Sequence, residues 1–153
     1  MTVRRVLPGL VVLALVGAGV ALYFAPSRPQ AEIGRARALL PQPPPGAQEV
    51  GHSVETTDVN SCEGSLVCAA IPPGQTSTLY VVFRYRVPRG VRPRDIATWY
   101  VQRMRGWTAT GEVAAGSLAF ERGRTFINVD AQELAVPSPP GAREFQVTVY
   151  PIL

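Results

Sequence analysis

The sequence predicts an α+β fold, one main helix packed on an antiparallel sheet, preceded by an N-terminal transmembrane helix. Residues 6–25 run without a single charge. Residues 78–87 alternate apolar and polar side chains at the period of a strand. Residues 93–107 carry the start, stripe and stop of a helix, and several short strand patterns follow them. One helix followed by antiparallel strands places the globule in the α+β class. A chain of 153 residues holds one domain with a leader and a linker, and it is too short for a multidomain enzyme. With 46% apolar and 17% charged residues it is not disordered as a whole.

The first element is the leader, residues 1–25. Arg4 and Arg5 form a short basic start, and the uncharged run from Val6 to Ala25 follows. Twenty helical residues span about 30 Å, the thickness of a hydrocarbon core. Tyr23 and Phe24 stand near the outer end, where aromatic rings favour the headgroup region, and Pro26 and Pro29 oppose continuation of the helix. A cleaved signal peptide would have a shorter apolar core; Gly19-Val20-Ala21 offers a cleavage site of that kind. The length of the run favours an uncleaved signal anchor. No cysteine follows to carry a lipid, and Arg4-Arg5 lacks the surroundings of a twin-arginine signal. Charge bias alone does not orient the span, because two arginines precede it and Arg28, Arg35 and Arg37 follow. The short leader places the N-terminus inside and the domain outside the cytoplasm.

Residues 26–46 read as a Pro-rich linker. Pro41-Gln42-Pro43-Pro44-Pro45 favours an extended polyproline II segment. Before it, Ile33, Ala36 and Leu40 share one helical face, and Arg35 and Arg37 would sit at lipid headgroups if that helix lay on a membrane. Gly34 interrupts the pattern and the segment is short for an isolated helix, so a spacer is the expectation.

The extracytoplasmic domain is then 47–153. In its best strand, Leu79, Val81, Phe83, Tyr85 and Val87 fall on one face and Arg84 and Arg86 on the other. The helix begins at Pro93, where a missing N–H costs nothing, with Asp95 beside the positive helix end. Ile96, Trp99, Tyr100 and Met104 form its apolar stripe. Arg103 and Arg105 close it, Gly106 supplies the left-handed stop, and Trp107 is expected to fold back on Val101. A weak strand over 107–113 precedes a hairpin, 117–121 and 125–130, joined through Arg122-Gly123-Arg124. Residues 144–150 form the last strand, and 50–54 and 67–71 are candidate edge strands.

Charge and motifs narrow the function. Residues 1–46 hold five arginines and one acid, and residues 47–153 hold ten of each. The folded part is therefore near neutral, which argues against a nucleic-acid partner. Cys62 and Cys68 enclose five residues and read as a disulfide stapling a polar loop outside the cytosol, worth about 2 kcal/mol. A redox pair would favour a tighter Cys-x-x-Cys, and zinc would require His52 and a fourth ligand nearby. His52 reads as an exposed loop histidine; a triad would bring it to Ser53, Ser61 or Ser65, and no Gly-x-Ser-x-Gly elbow is present. Glu112, Glu121, Asp130 and Glu133 read as solvated strand positions, and the glycines as isolated turn residues. Trp99 and Trp107 read as core and helix stop. No catalytic, cofactor or metal residue is expected. Arg84 and Arg86 are the candidate partner surface.

Pro45-Gly46-Ala47, Val50 and the helix end Trp99-Tyr100-x-x-x-Met104-Arg105-Gly106-Trp107 resemble a pattern in small bacterial envelope proteins. Those proteins combine an N-terminal anchor, a Pro-Gly-Ala lead-in, a helix ending in Gly-Trp and a following β-hairpin. The resemblance covers roughly residues 45–130. It implies an α+β fold at the cell envelope and carries over no catalytic residue. The expected function is a single-pass, non-enzymatic cell-membrane protein whose domain binds an envelope partner through a sheet edge or sheet face. The alternative is a carrier of small apolar ligands, with its pocket between helix and sheet.

Overall fold

The computed structural model describes residues 28–58, 77–132 and 140–150. Two helices, α1 (Arg28–Leu39) and α2 (Pro93–Arg103), accompany six strands. The strands are β1 (Gln48–Asp58), β2 (Ser77–Pro88), β3 (Thr108–Glu112), β4 (Ser117–Arg122), β5 (Thr125–Asp130) and β6 (Ala142–Tyr150). They form one sheet in the order β1-β2-β6-β5-β4-β3, antiparallel at every junction. The α+β class is as expected. The chain divides between Ala31 and Glu32, so the folded unit starts well before residue 47. Residues 6–25 lie outside the described residues. Among the described residues no helix is long and apolar enough to cross a membrane.

β2 runs one residue beyond the expected strand at each end, and β6 returns to pair with its second half, from Val81↔Val149 to Pro88↔Ala142. That return makes β6 a central strand, and its Phe145, Val147 and Val149 are fully buried. They join Val81, Phe83, Tyr85 and Val87 of β2, Leu118 and Phe120 of β4, and Ile127 and Val129 of β5 in one core. The Tyr85 and Phe145 rings stack at 5.2 Å, and the Tyr100 ring meets Phe145 edge-on at 6.5 Å. Leu79 continues the apolar face of β2 beyond the core and stays exposed.

α2 starts where Pro93 and Asp95 placed it. The Asp95 carboxylate accepts the Arg92 backbone N–H at 3.1 Å and the Arg92 Nε–H at 2.9 Å. Ile96, Ala97, Tyr100 and Met104 bury the stripe against the sheet, and Gly106 turns out of the helix at φ 77°. Trp107 departs from expectation: Val101 remains 43% exposed, and the Trp107 ring lies under the Arg122 guanidinium at 4.4 Å. The cause is register. Thr108 pairs with Glu121, so the residue before Thr108 arrives level with Arg122. The β4–β5 hairpin closes from Arg122 to Thr125, leaving a two-residue turn. Gly123 takes its first central position at φ 65°, the backbone that a glycine-first two-residue turn requires.

The expectation of a spacer over 26–46 needs correction. Ala36 is fully buried in the core, and Ile33, Leu39 and Leu40 pack against it. The face Ile33, Ala36 and Leu40 exists, but it covers protein instead of lipid. A twelve-residue helix is marginal alone, and burial against the sheet supplies what propensity does not. Gly34 faces open space, so its missing side chain leaves no gap. After α1, Trp99 Nε1–H donates to the Gln42 carbonyl at 3.1 Å and fixes the proline segment to α2. The candidate edge strand at 50–54 is the centre of the longer β1; residues 67–71 lie outside the described residues.

Candidate functional site

Two groups of polar side chains stand on opposite faces of the β1-β2-β6 half of the sheet. The first is made by a bulge. Glu49 pairs with Tyr85 and Gly51 with Arg84, so Val50 is an extra residue. In a regular strand Glu49 and His52, three apart, would face opposite ways; the extra residue brings both to the helix-covered face. There His52 Nδ1 lies 2.8 Å from Glu49 Oε1. Arg37, from α1, donates two parallel bonds to the same carboxylate, each 2.7 Å. Its guanidinium also stands 5.1 Å from the Phe83 ring centre. The Arg37 hydrogen bonds hold the Glu49 carboxyl below its ordinary range, with His52 adding to them, and the Arg37 pKa rises in turn. Burial pushes the neighbouring Tyr85 phenol up to about 12, and the Glu49 charge adds to the shift. Arg37, Leu40, Pro41, Pro43, Glu49 and Tyr85 surround a hollow of about 250 Å³.

This cluster is a clamp. Both guanidinium bonds end on Glu49, so Arg37 is committed to joining α1 to β1 rather than to holding an anion. Replacing Glu49 by Gln is expected to cost about 1 kcal/mol at neutral pH, discounted for the solvent that reaches the pair. Because folding lowers the carboxyl pKa, the stabilisation is complete above the unfolded value near 4.5. It disappears as acid takes the carboxyl through its depressed folded value. Urea unfolding of both proteins across pH 7 to 3 therefore gives a gap that closes only in acid; a gap independent of pH would rule out the ion pair as its source.

The second group lies on the other face. Glu55, Tyr80, Arg84, Gln146, Thr148 and Tyr150, with Val82 at the floor, line a hollow of about 260 Å³ across three strands. The Tyr80 and Tyr150 rings meet at 4.9 Å. Tyr80 Oη–H and Ser53 Oγ–H both donate to Glu55 at 2.7 Å. These bonds, Ser53 first, lower the Glu55 pKa. Burial, then the bond to Glu55, pushes the Tyr80 phenol up to about 12.

Register separates the two arginines expected to act together. Opposite Arg86 on β6 stands Glu144, and opposite Arg84 stands Gln146. Arg86 therefore bonds Glu144 through Nη2 at 2.8 Å and Nε at 3.2 Å. Arg84 has no ion pair among the described residues and borders the hollow, its charge acting on Glu55. Of the two, only Arg86 is held in an ion pair among the described residues. Cys62 and Cys68 lie outside the described residues, as do Ser61, Ser65 and Glu133. His52 sits on strand β1 instead of a loop, bonded to Glu49, and Ser53 turns to Glu55. Among the described residues no three His, Cys, Asp or Glu side chains converge as metal ligands.

The sequence reading missed both clusters. Gly51 inside a strand was a signal for the bulge that joins Glu49 to His52. Nothing local signals the Tyr80–Tyr150 pair, because it depends on β6 returning beside β2 across the whole domain. Comparison with known protein families, characterised proteins and solved structures finds no match to this chain.

Proposed function

We propose that this chain is a single-pass envelope protein whose folded unit is a non-enzymatic interaction domain on the extracytoplasmic side of the cell membrane. Residues 6–25 are its anchor, on the strength of their spanning length and lack of charge. Cys62 and Cys68 form a loop-closing disulfide in that oxidising compartment. An envelope protein docks on the sheet face around Tyr80, Arg84 and Tyr150. The observation that carries this reading is the lining of the 260 Å³ hollow: a close tyrosine pair beside an arginine without an ion pair among the described residues. Tyrosine and arginine concentrate binding energy at protein interfaces, and a hollow surrounded by fixed hydrogen bonds is organised before the partner arrives. Its phenols, amide, hydroxyls and guanidinium recognise groups instead of transforming them. The carrier reading has less support, since Ile96, Ala97, Tyr100 and Met104 of α2 pack into one core with the sheet.

The test is site-specific photo-crosslinking of the full chain in native membranes. A photoreactive residue at position 80 is expected to give one discrete protein adduct that Arg84→Glu abolishes; the same residue at Val101, exposed on α2, gives none. No adduct at position 80, or the same adduct from both positions, refutes the docking face. An apolar small molecule retained by the purified chain in native mass spectrometry would overturn it in favour of the carrier.

A further inference from the structure

The acid–base partners of the domain are unevenly distributed. Arg35, Arg37, Arg86, Arg92 and Arg94 each have a carboxylate within ion-pair distance. Seven have none among the described residues: Arg84 on β2, Arg143 on β6, Arg89 just after β2, and Arg103, Arg105, Arg122 and Arg124. The last four belong to one end of the fold, where α2 stops and the β4–β5 turn projects. The chain passes Arg103, Arg105 and Trp107 and enters β3 level with Arg122, with Arg124 across the turn. Two of the four lie over tryptophans: the Arg103 guanidinium is 3.1 Å from the centre of the Trp99 ring, and Arg122 is 4.4 Å from that of Trp107. The Trp99 ring is fixed by its bond to the Gln42 carbonyl. Glu121, the nearest acid in sequence, alternates to the other face of β4 from Arg122.

We infer that this end of the domain is a second binding surface, for the phosphate headgroups of anionic phospholipids. A guanidinium stacked on an aromatic ring keeps its N–H edge directed outward. Its plane is already fixed, so less entropy is lost when it meets a phosphate. Arg103 and Arg105, with Gln102, line a hollow of about 590 Å³ that is shallow and open, a shape for a surface and not for an enclosed small molecule. The tryptophans beneath Arg103 and Arg122 are side chains of the kind that settle at a membrane interface. The inference rests on the membrane anchor proposed above. α1 begins at Arg28, three residues after the uncharged run ends at Ala25, so the tether is short and the local concentration of headgroups high. An arginine near an anionic surface contributes about 1 kcal/mol, and four are enough to hold a tethered domain down.

Trp99 and Trp107 are the only two tryptophans of the chain, so intrinsic fluorescence reads this surface directly. The full chain is reconstituted into nanodiscs of brominated phosphatidylcholine, with or without brominated phosphatidylglycerol. Emission is expected to be quenched strongly in the anionic discs alone and to recover in high salt. Arg105→Glu with Arg124→Glu, which leaves both stacks in place, reduces the quenching to that of neutral discs without changing disc incorporation. Equal emission in neutral and anionic discs by an incorporated chain overturns the surface while leaving the anchor standing. Failure to co-elute with discs overturns the anchor, and the surface with it. Loss of the anionic-disc quenching on addition of stoichiometric duplex DNA at physiological salt, with the chain still in the discs, assigns the arginines to nucleic acid and overturns the lipid.

Discussion

Gly116→Ala is expected to lower the stability of the domain by about 3 kcal/mol, against about 1 kcal/mol for Gly123→Ala. Both glycines have a positive φ, 78° and 65°. An L side chain there strains the backbone by about 1–2 kcal/mol, partly offset because alanine also restricts the unfolded chain. The two positions differ in space. A Cβ on Gly123 meets nothing within 4 Å, whereas one on Gly116 would stand 2.5 Å from Pro93 Cβ and 3.1 Å from both Ala131 Cβ and the Pro93 carbonyl carbon. Neither neighbour yields readily. Pro93 is a rigid ring in the first turn of α2, and the Ala131 N–H donates to the Gly116 carbonyl at 2.8 Å. Overpacking adds about 1–3 kcal/mol to the strain. Urea unfolding followed by circular dichroism measures both variants. Equal losses would mean that the contact of Gly116 with Pro93 and Ala131 does not constrain the fold.

That contact illustrates what was legible in the sequence. Each strand and the second helix announce themselves locally: alternation in β2, the proline and acid opening α2, the glycine turn of the β4–β5 hairpin. The use made of a residue depends on its cross-strand neighbour, which lies far away in the chain. Arg84 and Arg86 look equivalent at spacing two, yet Gln146 and Glu144 opposite them give one a place at the hollow and the other an ion pair. Trp107 carries a helix-stop pattern, and the β3–β4 register places it under Arg122. The same holds for α1. Its apolar face is visible in the sequence, but only the assembled sheet decides whether that face covers lipid, water or protein. Proline and glycine flanking a short amphipathic stretch describe a spacer equally well until Ala36 is seen without solvent contact.

Ala36→Glu tests that placement with the largest effect expected of any substitution in α1. The side chain is fully buried in the core, whereas Ala38, two residues on, is exposed. Both replacements introduce the same charge and keep a good helix former, so helix propensity cancels between them. At position 38 the change is expected to stay within about 0.5 kcal/mol. At position 36 a carboxylate would enter an apolar core with no counter-charge provided for it, at an effective cost of several kcal/mol. The new carboxyl relieves part of that cost by holding its proton, so its folded pKa rises above the unfolded one. The native state then binds more protons than the unfolded state, and the deficit at position 36 shrinks as pH falls because protonation there relieves a cost, whereas protonation of Glu49 removes a stabilising ion pair. Should α1 undock without global unfolding, Trp99 loses the Gln42 carbonyl and its emission shifts while the sheet signal persists. A true spacer would tolerate both substitutions equally, with no shift at Trp99. A deficit confined to position 36 would show that the folded unit reaches back into α1, where the sequence predicts a spacer.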